Sequence, residues 1–340
     1  MKITITDIAR AAGVAKSTVS KVLNDSPTIS ADTKARVRQI MKDMNYTPSS
    51  MATRLAKQKT YNIGLLIDMS QEQAYLNPHF YNIMVGIESV IGPRQYDLTV
   101  VNVNAGDAHE ERHYMKRLVM SRRIDGLITN NSILTDEDAE QLRLLDFPYV
   151  SMGEYGGAAA TWVDFDNEMG GRMLTEHLLA QSYRSIAFIG GVTGERLFTK
   201  RYQGYQAQLQ EAGLPADEIW DARGVADDKL GYQEVMRLME RRSPPDSIIC
   251  MNSQVAFGAL KAVKELGIHA PGQLGIAAFD DEPFSAHTTP SLTSLFINTF
   301  ELGVRAGRMI MDRIEQPELP HQGVWLQPKI IVRESSRSKA

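Results

Sequence analysis

The sequence predicts a small all-α head, a short helical linker, and a larger two-lobed α/β body built on parallel sheets. Three observations lead there. The first sixty residues carry apolar side chains at helical spacing and no strand-like run. From Asn62 onward, short apolar runs alternate with amphipathic helical stretches, the pattern of parallel sheets covered by helices on both faces. Charge divides at the same place. Residues 1–60 hold 11 Lys and Arg against 4 Asp and Glu, a net +7. The remainder holds 26 against 37, a net −11, within an overall −4. A basic head on an acidic body is the electrostatic footprint of a nucleic-acid-binding module joined to something else, and 340 residues suffice for two or three domains.

In the head, Ile5, Ile8, Ala9 and Ala12 mark a first helix, with Thr6 as its expected N-cap. Gly13 ends it, as a residue able to take positive φ at a tight turn. A second run, Lys16 to Asn24, puts Val19, Val22 and Leu23 on one face and Lys16, Ser17, Ser20, Lys21 and Asn24 on the other. Two short helices joined by a glycine turn, the second without a single acid, make a helix-turn-helix pattern. A helix entering the major groove needs long donors for base edges and hydroxyls for phosphates, and this face offers both. On pattern alone, a helical hairpin with a merely solvated polar face is the alternative. A third helix is expected from Ser30, its N-cap, to about Met44, closing the core with Ala35, Val37, Ile40, Met41 and Met44. The head is thus expected over residues 1–46. Pro48 interrupts regular structure, and 49–59 form one more short helical pattern within a 47–60 linker. That segment is too poor in apolar residues to hold itself folded, so a flexible linker is its alternative reading.

The body opens with strand-like runs at Ile63–Ile67, Leu98–Val103, Gly126–Thr129 and Tyr149–Met152, separated by helical stretches near 79–92, 108–122 and 136–145. A second series follows at Trp162–Phe165, Ile186–Gly190, Ser247–Met251 and Leu274–Phe279, with helices near 167–180, 200–212, 228–242 and 254–266. Two series predict two lobes, with ligands bound at the carboxyl ends of the strands. A last strand and helix, Ser291–Ile297 and Phe300–Ile314, are expected to return to the first lobe. The first lobe is then 61–160 plus 291–320, the second 161–290 plus 321–333, and 334–340 a disordered polar tail.

Several motifs point elsewhere and are weighed against bland readings. His109, Glu110 and His113 spell HExxH, with both histidines on one helical face as in zinc proteases. The surrounding run is highly charged and no third ligand is assignable, so a solvated helix is the better reading and a metal-dependent enzyme the alternative. Gly190-Gly191-Val192-Thr193-Gly194 follows a strand but lacks both phosphate-loop and dinucleotide spacing, and reads as a turn. Asp280-Asp281-Glu282 offers three adjacent acids, a conceivable metal cluster. Cys250, the lone cysteine, lies in an apolar run; it excludes an internal disulfide framework and fits a cytoplasmic protein. No signal-peptide pattern and no run of 18 apolar residues are seen, so no membrane partner is expected and a transport-type binding protein is disfavoured. No cofactor is expected.

TITDIARAAGVAKSTVSKVLN and the following SADTKARVRQIMKDMNYTPS closely resemble the N-terminus of the lactose-repressor (LacI/GalR) family of bacterial transcription regulators. NPHFYNIMVGIE, VDFDNEMGG, RYQGY and FDDEPF extend the resemblance to about Arg333. It implies a periplasmic-binding-protein-like effector domain, with the chain crossing between lobes three times. It implies a homodimeric transcription regulator, most often a repressor, on roughly palindromic operator DNA, without enzymatic activity and controlled by a small-molecule effector, for which the pocket residues point to a sugar or sugar derivative. Base readout falls to Lys16, Ser17 and Lys21, and phosphate contacts to Thr18, Ser20 and Asn24. The 49–59 segment becomes a hinge helix, in which Leu55 wedges into the minor groove, Ala52 faces the partner hinge, and Arg54 and Lys57 lie near phosphates. Effector residues map to Phe80, Arg201, Asn252 and Asp280, with Asp281 and Glu282 on the surface. The chain departs from the family at several positions. Lys21 stands where many relatives have Arg, and Ala15 where a capping Ser is usual. Ser253 replaces Asp, Glu154 replaces an Arg after the fourth strand, and Ala226 and Ile297 replace groups that face sugar. A nucleoside or other metabolite is therefore the alternative effector.

Overall fold

The computed structural model describes residues 3–23, 25–46, 59–68, 78–103, 114–156, 160–215 and 223–337. They fall into two compact units, Met1–Tyr61 and Asn62–Ala340. Asn24 of the phosphate set, the hinge residues Ala52, Arg54, Leu55 and Lys57, and His109, Glu110 and His113 lie outside the described residues.

The head is three helices: α1 (Ile5–Ala12), α2 (Lys16–Leu23) and α3 (Ala31–Asp43). Ile8, Val19 and Val37 are fully buried where the three meet, joined by Ala9, Ala12, Val22 and Met41. Ala35, expected on that stripe, is exposed, because the core-facing row of α3 runs through Val37 and Met41 instead. The N-cap of α1 is Thr4, not Thr6: the Asp7 carboxylate accepts from Thr4 N at 3.0 Å and from its hydroxyl at 2.7 Å. Gly13 takes φ 63, the left-handed value that closes α1. Ser30 caps α3, accepting from Thr33 N.

In the body the first lobe carries a six-stranded sheet, entirely parallel among its pairs. Its strands are β1 (Asn62–Ile67), β2 (Asp97–Asn102), β3 (Gly126–Asn130), β4 (Tyr149–Met152), β5 (Trp162–Phe165) and, late in the chain, β10 (Gly323–Leu326). They run in the order β10-β5-β4-β3-β1-β2. The second sheet runs β11-β9-β8-β7-β6, from β6 (Ile186–Ile189), β7 (Ser247–Cys250), β8 (Gly275–Phe279), β9 (Thr293–Phe296) and β11 (Lys329–Ile331). Only β11 is antiparallel there. Helices α4 (Pro78–Ile91) and α5 (Asp136–Leu144), with a π-helical stretch at Met115–Met120, belong to the first lobe. The second is covered by α6 (Asn167–Ala180), α7 (Arg196–Glu211), α8 (Asp228–Met239) and α9 (Ser253–Glu265). The long α10 (Thr299–Glu315) packs back on α4, where a Cβ on Gly86 would lie 2.2 Å from the Phe300 carbonyl.

Three lobe assignments made from the sequence are corrected by the pairing. Trp162–Phe165 opens the second series in sequence, yet it pairs with β4 and β10 and completes the first sheet. The Thr293–Phe296 strand pairs with β8 and belongs to the second lobe. Residues 321–333 divide, β10 to the first sheet and β11 to the second. The tail also differs from expectation. Glu334–Ser336 forms a 3-10 turn with Ser335 and Ser336 fully buried. The Ser335 hydroxyl donates to the Ile276 carbonyl at 2.6 Å and the Ser336 hydroxyl to Thr293 Oγ1 at 2.6 Å, so local polarity is satisfied by the sheet rather than by water.

Candidate DNA-reading helix and effector site

In α2 the apolar side is spent on the core through Val19 and Val22, which turns Lys16, Ser17 and Lys21 outward, all exposed. Thr18 and Ser20 are half-buried on the flanks of that face. Two acids of the head, Asp25 and Asp7, are engaged elsewhere. Asp25 binds Lys34 at 3.0 Å and Arg38 at 2.7 Å, and the hydrogen bond from Lys34 leads the effects that hold its carboxyl below the usual range. Asp7 is lowered by its bonds from Thr4. The outer face of α2 is therefore basic without an internal counter-charge of its own. Ala15 begins the helix through its carbonyl, which accepts from Thr18 N and Val19 N, but its methyl cannot accept from the first turn. A serine there would add about 1 kcal/mol of helix stability.

The second site forms at the carboxyl ends of the strands of the second lobe. Its centre is Arg201, on α7, only 4% exposed. Backbone approach sets its position: a Cβ on Gly204 would lie 1.9 Å from the Glu168 carbonyl of α6, so only glycine lets the two helices close that far. The Arg201 guanidinium then lies 4.3 Å over the Phe279 ring. Its Nε donates to Asn167 Oδ1 at 3.1 Å, one terminal nitrogen to the Met251 carbonyl at 2.6 Å, and the other to Asp280 Oδ1 at 3.0 Å. Asp280 follows β8 directly, and its φ of 65 turns its carboxylate back toward the arginine. Desolvation of such a pair is offset only by good geometry and added hydrogen bonds, both present here.

The structure thus joins two of the four residues expected at this site, Arg201 and Asp280. Asn252 follows Met251 but is committed to backbone: Oδ1 caps α9 by accepting from Val255 N at 2.9 Å, and Nδ2 donates to the Ala226 carbonyl at 2.9 Å. Phe80 stands on α4 of the first lobe, half-buried and edge-on to Tyr81, and is not part of the Arg201 network. Asn167 is a member that sequence reading missed; it sits within VDFDNEMGG, where nothing distinguishes a ligand from a family signature. Asp281 and Glu282, expected on the surface, are not there. Asp281 pairs with Arg333 at 2.6 Å, and Glu282, 8% exposed, accepts from Ser253 at 2.6 Å. The three acids thus face three different partners. Gly190 and Gly191, at φ 104 and 100, are not themselves the expected turn, which falls at Thr193 and Gly194. Gly191 pairs with Gly224 in an antiparallel bridge, its N donating to the Gly224 carbonyl at 3.1 Å and its carbonyl accepting from Gly224 N at 2.9 Å, and a Cβ on Gly191 would strike the Phe198 ring.

Glu154, which departs from the family pattern, lies beside this network. With Asp164, Asp166, Lys200 and Trp325 it lines a recess of about 280 Å³. Asp164 is pushed up by burial, an effect opposed by hydrogen bonds from the backbone of Glu154 and Phe165 and by the charge of Arg201.

A helix-turn-helix head with a basic reading face, joined to a two-lobed parallel α/β body with a buried polar site, defines a ligand-binding DNA regulator. Known proteins agree. Residues 4–49 match the family described as bacterial regulatory proteins, lacI family, and residues 175–336 the periplasmic binding protein-like domain. The HTH-type transcriptional repressor PurR of Actinobacillus pleuropneumoniae serotype 3 is 28% identical over 340 residues, 98% of each chain. The Lac repressor dimer bound to operator and the anti-inducer ONPF has the same fold, with a TM-score of 0.85 at 23% identity, covering 99% of this chain and 100% of that one. The transcriptional regulator CelR in its cellobiose complex gives 0.74 at 24% identity, covering 98% and 100%. The chain joins a lacI-family DNA-binding domain to a periplasmic binding protein-like domain, the make-up of a DNA-binding transcriptional repressor with a ligand-binding domain. No helix among the described residues is long and apolar enough to cross a membrane.

Proposed function

We propose that the protein works as a homodimer on a roughly palindromic operator. Its DNA occupancy is set by a small, neutral, hydroxyl-rich molecule, a sugar or sugar derivative, held at Arg201 and Asp280. Two-fold protein symmetry requires two-fold operator symmetry, and each copy supplies Lys16, Ser17 and Lys21 to one half-site. The observation that carries the effector reading is the pairing of the buried Arg201 with the half-buried Asp280 at the strand ends. Asp280 Oδ1 is taken by Arg201, while its second oxygen, with no hydrogen bond among the described residues, is available as an acceptor. A fixed acceptor beside a fixed donor suits vicinal hydroxyls, one donating and its neighbour accepting. Glu154 nearby disfavours an anion such as a sugar phosphate.

A nucleoside is the second reading. Its ribose offers the same hydroxyl pair, the full-length relatives carry the name PurR, and Ala226 and Ile297 leave apolar rather than sugar-facing groups. A thermal-shift screen of the full chain against sugars, sugar phosphates and nucleosides separates the readings, repeated on Asp280→Asn. A sugar that raises the melting temperature of the wild type and not of the variant supports the first reading. A compound that stabilises both equally places the effector site elsewhere.

A further inference from the structure

Beside Arg201 the two lobes grip one another through four residues. Past the end of β4, Tyr155 is buried in the first lobe, with its hydroxyl donating to Asp136 Oδ1 at 2.5 Å, and the Glu154 carbonyl accepts from Asn131 Nδ2 at 3.2 Å. Both residues are therefore fixed to the first lobe. Facing them, α7 of the second lobe presents Arg196 and, one turn on, Lys200, a spacing that puts both on one face. The Arg196 guanidinium lies 5.3 Å over the Tyr155 ring, and Lys200 Nζ is 3.1 Å from Glu154 Oε2. A second path joins the same residues. Glu154 N donates to Asp164 Oδ2 at 2.9 Å, Asn167 Nδ2 donates to Asp164 Oδ1 at 3.3 Å, and Arg201 Nε donates to Asn167 Oδ1 at 3.1 Å. Arg201 follows Lys200 directly, so the two paths close into a ring.

We propose that the Glu154–Lys200 pair, braced by Tyr155–Arg196, is a latch between the lobes, and that the Asp164–Asn167 path couples it to the seat of Arg201. A ligand that pulls on Arg201 moves the same turn of α7 that carries Lys200, so effector occupancy and lobe closure share one mechanical element. This rests on the effector site proposed above, and supplies its regulation. Lys200 and Glu154 keep 42% and 32% of their side-chain surface exposed, so solvent screens the pair. Such a contact biases a two-state equilibrium roughly two- to fivefold rather than by orders of magnitude. A reversible switch needs a bias of that size, and salt should weaken it.

The test reads lobe separation without DNA or effector. Gln141→Cys on α5 and Gln210→Cys on α7 are exposed positions for spin labels, and Cys250, fully buried, stays unlabelled. Double electron–electron resonance on the full chain is expected to show the wild-type distance distribution shifting toward longer separations in Glu154→Lys and in Lys200→Glu. The population ratio should change roughly two- to fivefold, with the wild-type distribution recovered in the double charge swap. Asn167→Ala is expected to shift it in the same direction. Distances unchanged in both single charge variants, or a double swap no closer to wild type than either single, overturn the latch. An Asn167→Ala distribution identical to wild type overturns its coupling to Arg201. Should Glu154→Lys lose its thermal transition, Glu154→Gln and Lys200→Gln give the same comparison. Failure here leaves the operator-binding reading intact, because neither DNA nor effector enters the measurement.

Discussion

Arg201→Met removes the guanidinium while retaining much of the side chain's bulk over Phe279, and so isolates the polar contribution of the network. It strands Asp280, the Met251 carbonyl and Asn167 Oδ1, the three acceptors that Arg201 now serves. Removing one partner of a buried ion pair costs about 3–5 kcal/mol. The Asp280 side chain keeps 15% of its surface exposed, so water recovers part of its solvation and the lower end of that range applies. For a body of this size each kcal/mol moves the melting temperature by about 2 °C, giving a fall of roughly 6 °C. Asp280→Asn alone is expected to destabilise less, since the amide oxygen still accepts from Arg201. The Arg201→Met/Asp280→Asn double variant should then melt above the additive expectation, because the stranded charge is gone. Calorimetry on the four proteins at one ionic strength makes the measurement. An Arg201→Met protein within about 2 °C of wild type, or strict additivity in the double variant, would refute the claim that this pair is a coupled buried network.

Three further outcomes follow from other parts of the molecule. Replacing Lys16, Ser17 and Lys21 together should change the sequence recovered in a selected-site experiment, since base contacts specify whereas phosphate contacts only position; recovery of the same consensus at lower affinity would show that other residues read the bases. Gly204→Ala should cost about 1–3 kcal/mol by forcing α6 and α7 apart, because its Cβ would lie 1.9 Å from the Glu168 carbonyl; an unshifted melting curve would contradict that close approach. His177, whose Nε2 lies 2.8 Å from Ser336 Oγ, has its pKa lowered by burial. The unfolded chain therefore binds a proton more readily, and this contribution to stability is present above about pH 6.5 and declines as pH falls below it. His177→Gln should flatten that part of the pH–stability curve, and identical curves for the two proteins would remove His177 as a contributor.

Periodicity and charge along the chain are local properties, and what they report was legible without coordinates. The glycine turn after α1, the outward face of Lys16, Ser17 and Lys21, and the alternation of strands and helices all follow from side chains within a few residues of one another. The separation of a basic head from an acidic body is likewise written in composition. Strand partnership is not a local property. The apolar patterns of Trp162–Phe165 and Thr293–Phe296 mark both as strands, but their place in the chain points to the wrong lobes, since a strand's apolar pattern records that it is buried and not which sheet it joins. The same limit applies to the site. Arg201, Asn167, Met251 and Asp280 come from four separate elements, and Asp280, Asp281 and Glu282 are chemically alike neighbours whose different partners arise only once β8 and the chain's end are packed. The sequence by itself determined the class of protein and the outward face of Lys16, Ser17 and Lys21. Only the tertiary structure decided that Asn252 serves backbone, that Glu154 reaches across to Lys200, and that Ser335 and Ser336 are core, because each depends on a hydrogen bond or ion pair to a residue far away in the chain.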